Sequence, residues 1–218
     1  YDQMVNQAAA FPMSKQPFRT NNNEAHLFGL EPHFGCCTAN FGQGFPKFAL
    51  STFLKAENGI ASCALAPSFV ESAINGVGVK CSLATEYPFR GKLKYTVEVE
   101  SSVEFDFLIR IPSFAKAARV DGTEVRCGEF AKISKTWTGK TDIEVCLDFE
   151  TEIVKRPHDM ACVRRGPLFY SIPIKEKRER VEYIKDGVER KYPYCDYYIY
   201  PESKWNYAFA SDKFEFEE

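Results

Sequence analysis

The side chains with the most chemical potential are two adjacent thiols in Gly35-Cys36-Cys37-Thr38-Ala39-Asn40. The residues that follow predict a helix, which sets both thiols just before a helix N-terminus. Backbone N–H groups without partners and the helix dipole favour an anion at such a place, and so favour a thiolate. A thiolate there suits either a nucleophile or a metal ligand. Adjacency itself is no zinc signature, because structural sites space their ligands roughly two to four residues apart. The plain alternative is a pair of small buried hydrophobes. Nearby lie Glu24, Glu31, His26 and His33. Nothing in the sequence positions the two carboxylates, and a loop histidine is more often held by a local hydrogen bond than by a metal. His158, after Arg156-Pro157, reads as a surface-loop residue. Gly42-Gln43-Gly44 lacks the lysine and third glycine of a phosphate-binding loop, which removes that chemistry.

The element that must carry the pair is a helix near residues 39–54. Phe41, Phe45, Phe48 and Thr52 recur at spacings of four, three and four, the period of one helical face. Thr38 or Asn40 is placed to cap it. Pro46 predicts a kink or the true first turn, and Asn58-Gly59 predicts the end. Before the pair, residues 1–35 are rich in Asn, Gln, Pro and Phe and show no period.

From residue 59 to about 156 the period becomes two. Leu93, Tyr95, Val97 and Val99 alternate with polar residues, and Val103, Phe105, Phe107, Ile109 and Ile111 resume the pattern after Ser101-Ser102. This predicts a hairpin of two half-buried strands. Asp121-Gly122 marks another turn, and Ile143, Val145, Leu147 and Phe149 share one strand face. Several short strands without an intervening helix predict a mainly β fold, an antiparallel β-sandwich. A third zone opens at Gly166-Pro167-Leu168-Phe169-Tyr170. Its run Lys175-Glu176-Lys177-Arg178-Glu179-Arg180 cancels its own charge and predicts a solvated loop or exposed helix face. Tyr192, Tyr194, Tyr197, Tyr198, Tyr200, Trp205 and Tyr207 suit strands that need a partner domain. The sequence has no internal repeat and no low-complexity tract.

Composition narrows the function classes. With 218 residues, 44% of them hydrophobic and 15% aromatic, the chain can bury a sizeable core. The 28 basic and 30 acidic residues give a formal charge of −2, so no cationic field draws nucleic acid or an anionic membrane. No apolar run approaches the roughly 20 residues of a spanning helix. Cys63, Cys81, Cys127, Cys146, Cys162 and Cys195 are scattered singly through strand-like segments. A chain with a core of its own needs no disulfide framework, so these predict free thiols and lean towards a cytoplasmic location. The first residue is Tyr1, without an initiator or apolar leader, and the end at Phe214-Glu215-Phe216-Glu217-Glu218 reads as cut. Both termini are expected to belong to a longer protein, which leaves a signal peptide undecided.

Phe28-Gly29-Leu30-Glu31-Pro32, the cysteine-pair segment and Gly44-Phe45-Pro46-Lys47-Phe48 together resemble glycoside hydrolase family 127, the β-L-arabinofuranosidases and their relatives. Tyr1-Asp2-Gln3-Met4-Val5-Asn6-Gln7, Gly166-Pro167-Leu168-Phe169-Tyr170 and Trp205-Asn206-Tyr207-Ala208-Phe209 resemble one branch of those relatives, in the same order. The resemblance implies an (α/α)-barrel catalytic domain followed by β-sandwiches. Residues 1–56 would then hold the C-terminal end of the barrel with its truncated last helix, 57–157 a β-sandwich, and 158–218 the start of a second. It implies Cys36 as nucleophile, and Cys36 and Cys37 as thiolate ligands of one zinc ion. The family's acid/base Glu and its remaining zinc ligands, a Glu and a Cys, lie upstream of this chain. Glu24 and Glu31 are not expected to replace them, and Tyr1 matches a sugar-site hydroxyl only loosely. The substrate would be an oligosaccharide or glycoconjugate, hydrolysed with retention, and this segment alone would be inactive. Two other readings stand beside this one: a non-catalytic sandwich module that braces or shapes another domain, and a pseudoenzyme that binds sugar without cleaving it.

Overall fold

The computed structural model describes residues 9–12, 28–29, 35–157 and 159–217. In chain order the elements are β1 (Phe28–Gly29), α1 (Gly35–Leu50), β2 (Phe53–Ala56), β3 (Gly59–Ser62), β4 (Ser68–Ile74), β5 (Val77–Thr85), β6 (Lys92–Val99), β7 (Val103–Arg110) and β8 (Ala117–Val120). They continue as β9 (Thr123–Val125), β10 (Phe130–Trp137), β11 (Lys140–Asp148), β12 (Thr151–Lys155), β13 (Ala161–Arg165) and β14 (Leu168–Tyr170). The last four are β15 (Glu176–Val181), β16 (Tyr183–Lys185), β17 (Val188–Arg190) and β18 (Asp196–Pro201). The chain divides into two compact units, Asn40–Phe169 with Phe214–Glu218, and Tyr1–Ala39 with Tyr170–Lys213.

The larger unit is a β-sandwich, as the period-two alternation predicts. A four-stranded sheet in the order β10-β7-β3-β2 and a six-stranded sheet in the order β4-β5-β6-β11-β8-β9 enclose its core. Pairing is antiparallel except for β3 with β7, which run parallel. The alternation of β6 and β7 is reproduced as alternate burial, with Leu93, Tyr95, Val97, Phe105, Phe107 and Ile109 inside. These two strands do not form the expected hairpin. β6 pairs with β5 and β11 while β7 pairs with β3 and β10, so the chain at Ser101-Ser102 crosses from one sheet to the other. The pattern is the same in either case, because each strand turns one apolar face to a common core.

Aromatic packing fixes the centre. The Trp137 ring stacks on Phe105 at 5.2 Å and meets Phe107 edge-on at 6.3 Å, and its Nε1 donates to the Phe105 carbonyl at 2.9 Å. Tyr95 meets Phe107 edge-on at 5.5 Å and shares a hydrogen bond of 2.9 Å with the Ser62 hydroxyl. Ser62 is on β3 and Tyr95 on β6, so that bond ties the two sheets together inside the core. Burial pushes the Tyr95 phenol and the Cys81 thiol each up to about 12. Gly59 admits no side chain, since a Cβ there would lie 1.9 Å from the Asp106 carbonyl oxygen. Asp121-Gly122 is the expected turn, joining β8 to β9 with both residues at positive φ. β12, β13 and β14 add a three-stranded sheet.

In the smaller unit, β18 lies between β1 and β15, and Ala10 bridges to Ile199. The mixed-charge run expected as a loop or helix face is strand β15, exposed along most of its length. Its charges sit two apart and therefore share faces, pairing as Lys177–Glu179 at 2.8 Å and Arg178–Glu176 at 2.5 Å. β-pairing to the tyrosines of β18 overrides the weak propensity of the run itself. Among the described residues no helix is long and apolar enough to cross a membrane.

Candidate functional site

The thiol pair rides on α1, which begins and ends earlier than its sequence period suggests. Gly35 rather than Asn40 opens the helix, so Thr38 and Asn40 lie within it rather than ahead of its first turn. Cys36 and Cys37 fall in the first turn, where backbone N–H groups lack intrahelical acceptors. Cys36 is exposed. The side chain of Cys37 lies outside the described set, as do Tyr1, Glu24, His26, Glu31, His33 and His158.

Pro46 is inside α1 and gives up one ladder hydrogen bond there. Lys47 stands in the last turn, where the dipole favours a cation, and its Nζ donates to Gln43 Oε1 at 2.9 Å. The helix stops at Leu50 because the following hydroxyls take over its last carbonyls. Ser51 Oγ donates to the Lys47 carbonyl and Thr52 Oγ1 to the Ala49 carbonyl, each at 2.8 Å. Thr52 is buried, and its carbonyl accepts from the Cys63 amide at 2.9 Å, so the helix end is fastened to the β2–β3 pair. Asn58-Gly59, expected to end the helix, instead belongs to the tight turn closing that hairpin, with Ala56 opposite Gly59.

The face that announced the helix is not buried. Phe41 and Phe45 are 88% and 78% exposed, Phe48 is half exposed, and Thr52 lies beyond the helix in the turn to β2. The periodicity is real, but among the described residues nothing covers the face it creates.

Among the described residues no three His, Cys, Asp or Glu side chains gather with metal-binding spacing. Cys63, Cys81, Cys127, Cys146, Cys162 and Cys195 stand as thiols, without disulfides. Burial raises Cys63 and Cys81, and at Cys146 burial is joined by the Glu144 carboxylate; a raised thiol is a poor nucleophile. Cys81, Cys162 and Cys195 are buried and Cys63, Cys127 and Cys146 partly buried, whereas Cys36 is exposed.

One polar group could not be foreseen from the sequence. Asp106 of β7 accepts from Lys132 Nζ at 2.7 Å and from Ser134 Oγ at 2.6 Å, both on β10. The Lys132 hydrogen bond, then that of Ser134, holds the Asp106 carboxyl below its usual range. The register that sets Ser134 opposite Asp106 is what makes the group, and no local motif announces it.

Comparisons with known proteins bear on the sandwich. Residues 63–149 match the model of the GH127 β-L-arabinofuranosidase middle domain. A GH127 β-L-arabinofuranosidase from Geobacillus stearothermophilus T6 matches 82% of this chain and 37% of its own, at 18% identity and a TM-score of 0.55. A protein described as a glycoside hydrolase matches 90% of this chain and 41% of its own, at 16% identity and a TM-score of 0.57. A GH127 β-arabinofuranosidase matches 80% and 37%, at 17% identity and 0.53. The chain therefore spans about two fifths of the length of these structures. A search of curated proteins finds no match. The chain is GH127-like: residues 63–149 match that family's middle-domain model, and the solved structures share the fold.

Proposed function

We propose that this GH127-like chain is part of a retaining glycoside hydrolase acting on L-arabinofuranosides or related sugars, with Cys36 as its nucleophile. The observation that carries the reading is the exposed Cys36 thiol in the first turn of α1, which leads through the β2–β3 hairpin into the segment that matches a GH127 middle domain. The exposed phenylalanine face of α1 supports its assignment to the end of an (α/α) barrel, and the sandwich from β2 onward then anchors that helix through Thr52.

The donor chemistry fits one side of a thiolate-rich zinc site. Cys36 and Cys37 would supply two soft ligands in the first turn of a helix, and the remaining ligands would come from outside the described residues. When bound, zinc would keep both thiols deprotonated at neutral pH. Cys36 Sγ then attacks the anomeric carbon, the C–O bond to the leaving group breaks, and a carboxylic acid from elsewhere in the enzyme protonates the departing oxygen. Water, deprotonated by the same group, cleaves the resulting C–S bond and returns the sugar with its starting configuration. The thiolate here replaces the carboxylate nucleophile of most retaining glycosidases.

The test is zinc content of the full-length enzyme by elemental analysis beside release of nitrophenyl from its L-arabinofuranoside. The reading expects zinc that both Cys36→Ser and Cys37→Ser deplete, with turnover lost in Cys36→Ser. Turnover that survives Cys36→Ser, or zinc indifferent to both substitutions, overturns it. In that case the chain's role is to brace its neighbours.

A further inference from the structure

The last described residues return to the sandwich. After β18, residues 204–213 are exposed throughout and form neither helix nor strand, and then the chain changes character. Phe214 and Phe216 are half-buried while Glu215 and Glu217 stay exposed, the alternation of an extended segment with one side against a surface. This segment belongs to the sandwich unit, although residues 170–213 before it do not.

What it meets is built on Phe149, directly after β11. The Phe149 ring packs against the core, with Tyr87 at 6.5 Å and Phe114 at 6.1 Å beside it. A Cβ at Gly166 would lie 2.8 Å from that ring, so the turn from β13 to β14 presses its bare backbone on Phe149. Arg165 precedes that turn as the last residue of β13, half-buried and opposite Thr151 in the ladder. Its guanidinium lies over the Phe149 ring at 5.7 Å and over the Phe216 ring at 3.8 Å. One cation thus serves two rings, and cation–π attraction strengthens as the cation loses water. The planar guanidinium also stacks on aromatic faces in a way that an ammonium cannot.

We propose that residues 214–217 are a latch, a docking segment that ends the exposed run 204–213 by seating Phe216 on Arg165 of the sandwich. The covalent connection makes so small a contact sufficient. It holds the segment at an effective concentration on the order of millimolar, so a contact too weak to capture a free peptide still closes the latch. Glu215 and Glu217 point to water and carry none of the attachment. Closure fixes the far end of a loop that displays Trp205 and Tyr207, 55% and 59% exposed. Opening releases that loop and uncovers the Arg165 guanidinium together.

The test is amide NMR relaxation on the full chain. Residues 214–217 should be ordered like the sandwich strands, with backbone order parameters of roughly 0.85 against less than about 0.6 for a free tail. Arg165→Gln and Phe216→Leu each remove half of the contact while keeping much of its bulk. Each should raise the released population about 2- to 30-fold, the range of a cation–π pair. The two together should release the segment little further than either alone. Phe216→Trp, which offers the better ring, should lower the released population. Glu215→Gln with Glu217→Gln, or about 1 M NaCl, should leave the segment in place. Should Arg165→Gln disturb β13, the opposite effects of Phe216→Leu and Phe216→Trp decide the matter. A segment as loose as a free terminus in the unaltered chain overturns the proposal, and so does order that survives Phe216→Leu. Order that salt or the glutamine pair abolishes overturns it by making the anchor an ion pair. Order lost on dilution overturns it equally, because the contact would then join two copies of the chain.

Discussion

Removing the Tyr95 hydroxyl tests the buried link between the sheets. Ser62 is fully buried and its hydroxyl bonds Tyr95 at 2.9 Å. Tyr95→Phe keeps the ring against Phe107 but strands the Ser62 hydroxyl, which costs about 1–3 kcal/mol. Ser62→Ala strands the phenol instead, at a similar cost of about 1–3 kcal/mol. The double variant removes both groups together, so its loss should be smaller than the sum, with a coupling of about 1–2 kcal/mol. Urea unfolding at neutral pH, read by Trp137 fluorescence in a Trp205→Phe background, measures all four species. Purely additive losses would refute the reasoning, because they would mean that the two hydroxyls do not satisfy each other in the core.

Alkali should unfold the sandwich through the same core. Tyr95 and Cys81 have folded values raised to about 12, above ordinary values of 10.0 and 9.0, with burial the cause. Their neutral forms therefore favour the folded state fully below pH 9, and that contribution falls as pH rises from 9 to about 12. Tyr95→Phe and Cys81→Ala should flatten the decline in an unfolding midpoint measured across that window. Gly59→Ala places a Cβ against the Asp106 carbonyl and should cost about 3 kcal/mol or more, read as a fall in thermal midpoint. A thiol reagent on the native chain should label Cys36 promptly while Cys81 and Cys195, both nearly inaccessible, react only after unfolding, as peptide mass mapping will show.

The sandwich was legible because period-two alternation is a direct imprint of a strand with one face in a core. Tyr95 and Phe107 could be placed inside from spacing alone. Which strands pair could not, since β6 and β7 carry the same pattern whether they form a hairpin or face each other across the core. The helix was legible from Phe41, Phe45 and Phe48, but its ends were set by Ser51 and Thr52 hydroxyls whose hydrogen bonds spacing does not encode. Asn58-Gly59 carried an authentic turn signal that belongs equally to a helix end and to a hairpin. At the site, Cys36 stood out by its neighbours in sequence, whereas Asp106, Lys132 and Ser134 are assembled only by register. A charge run such as Lys177-Arg178-Glu179 reads as loop until the tyrosines of β18 are seen beside it.

The proposed chemistry turns on which atom of the full-length protein bonds the sugar. The full-length enzyme, mixed with nitrophenyl L-arabinofuranoside and quenched in acid, should yield a peptide containing Cys36 that is heavier by one anhydropentose unit. That adduct should be absent from Cys36→Ser. A sugar adduct on a carboxylate side chain, or turnover with inverted product and no adduct, would contradict Cys36 as the nucleophile.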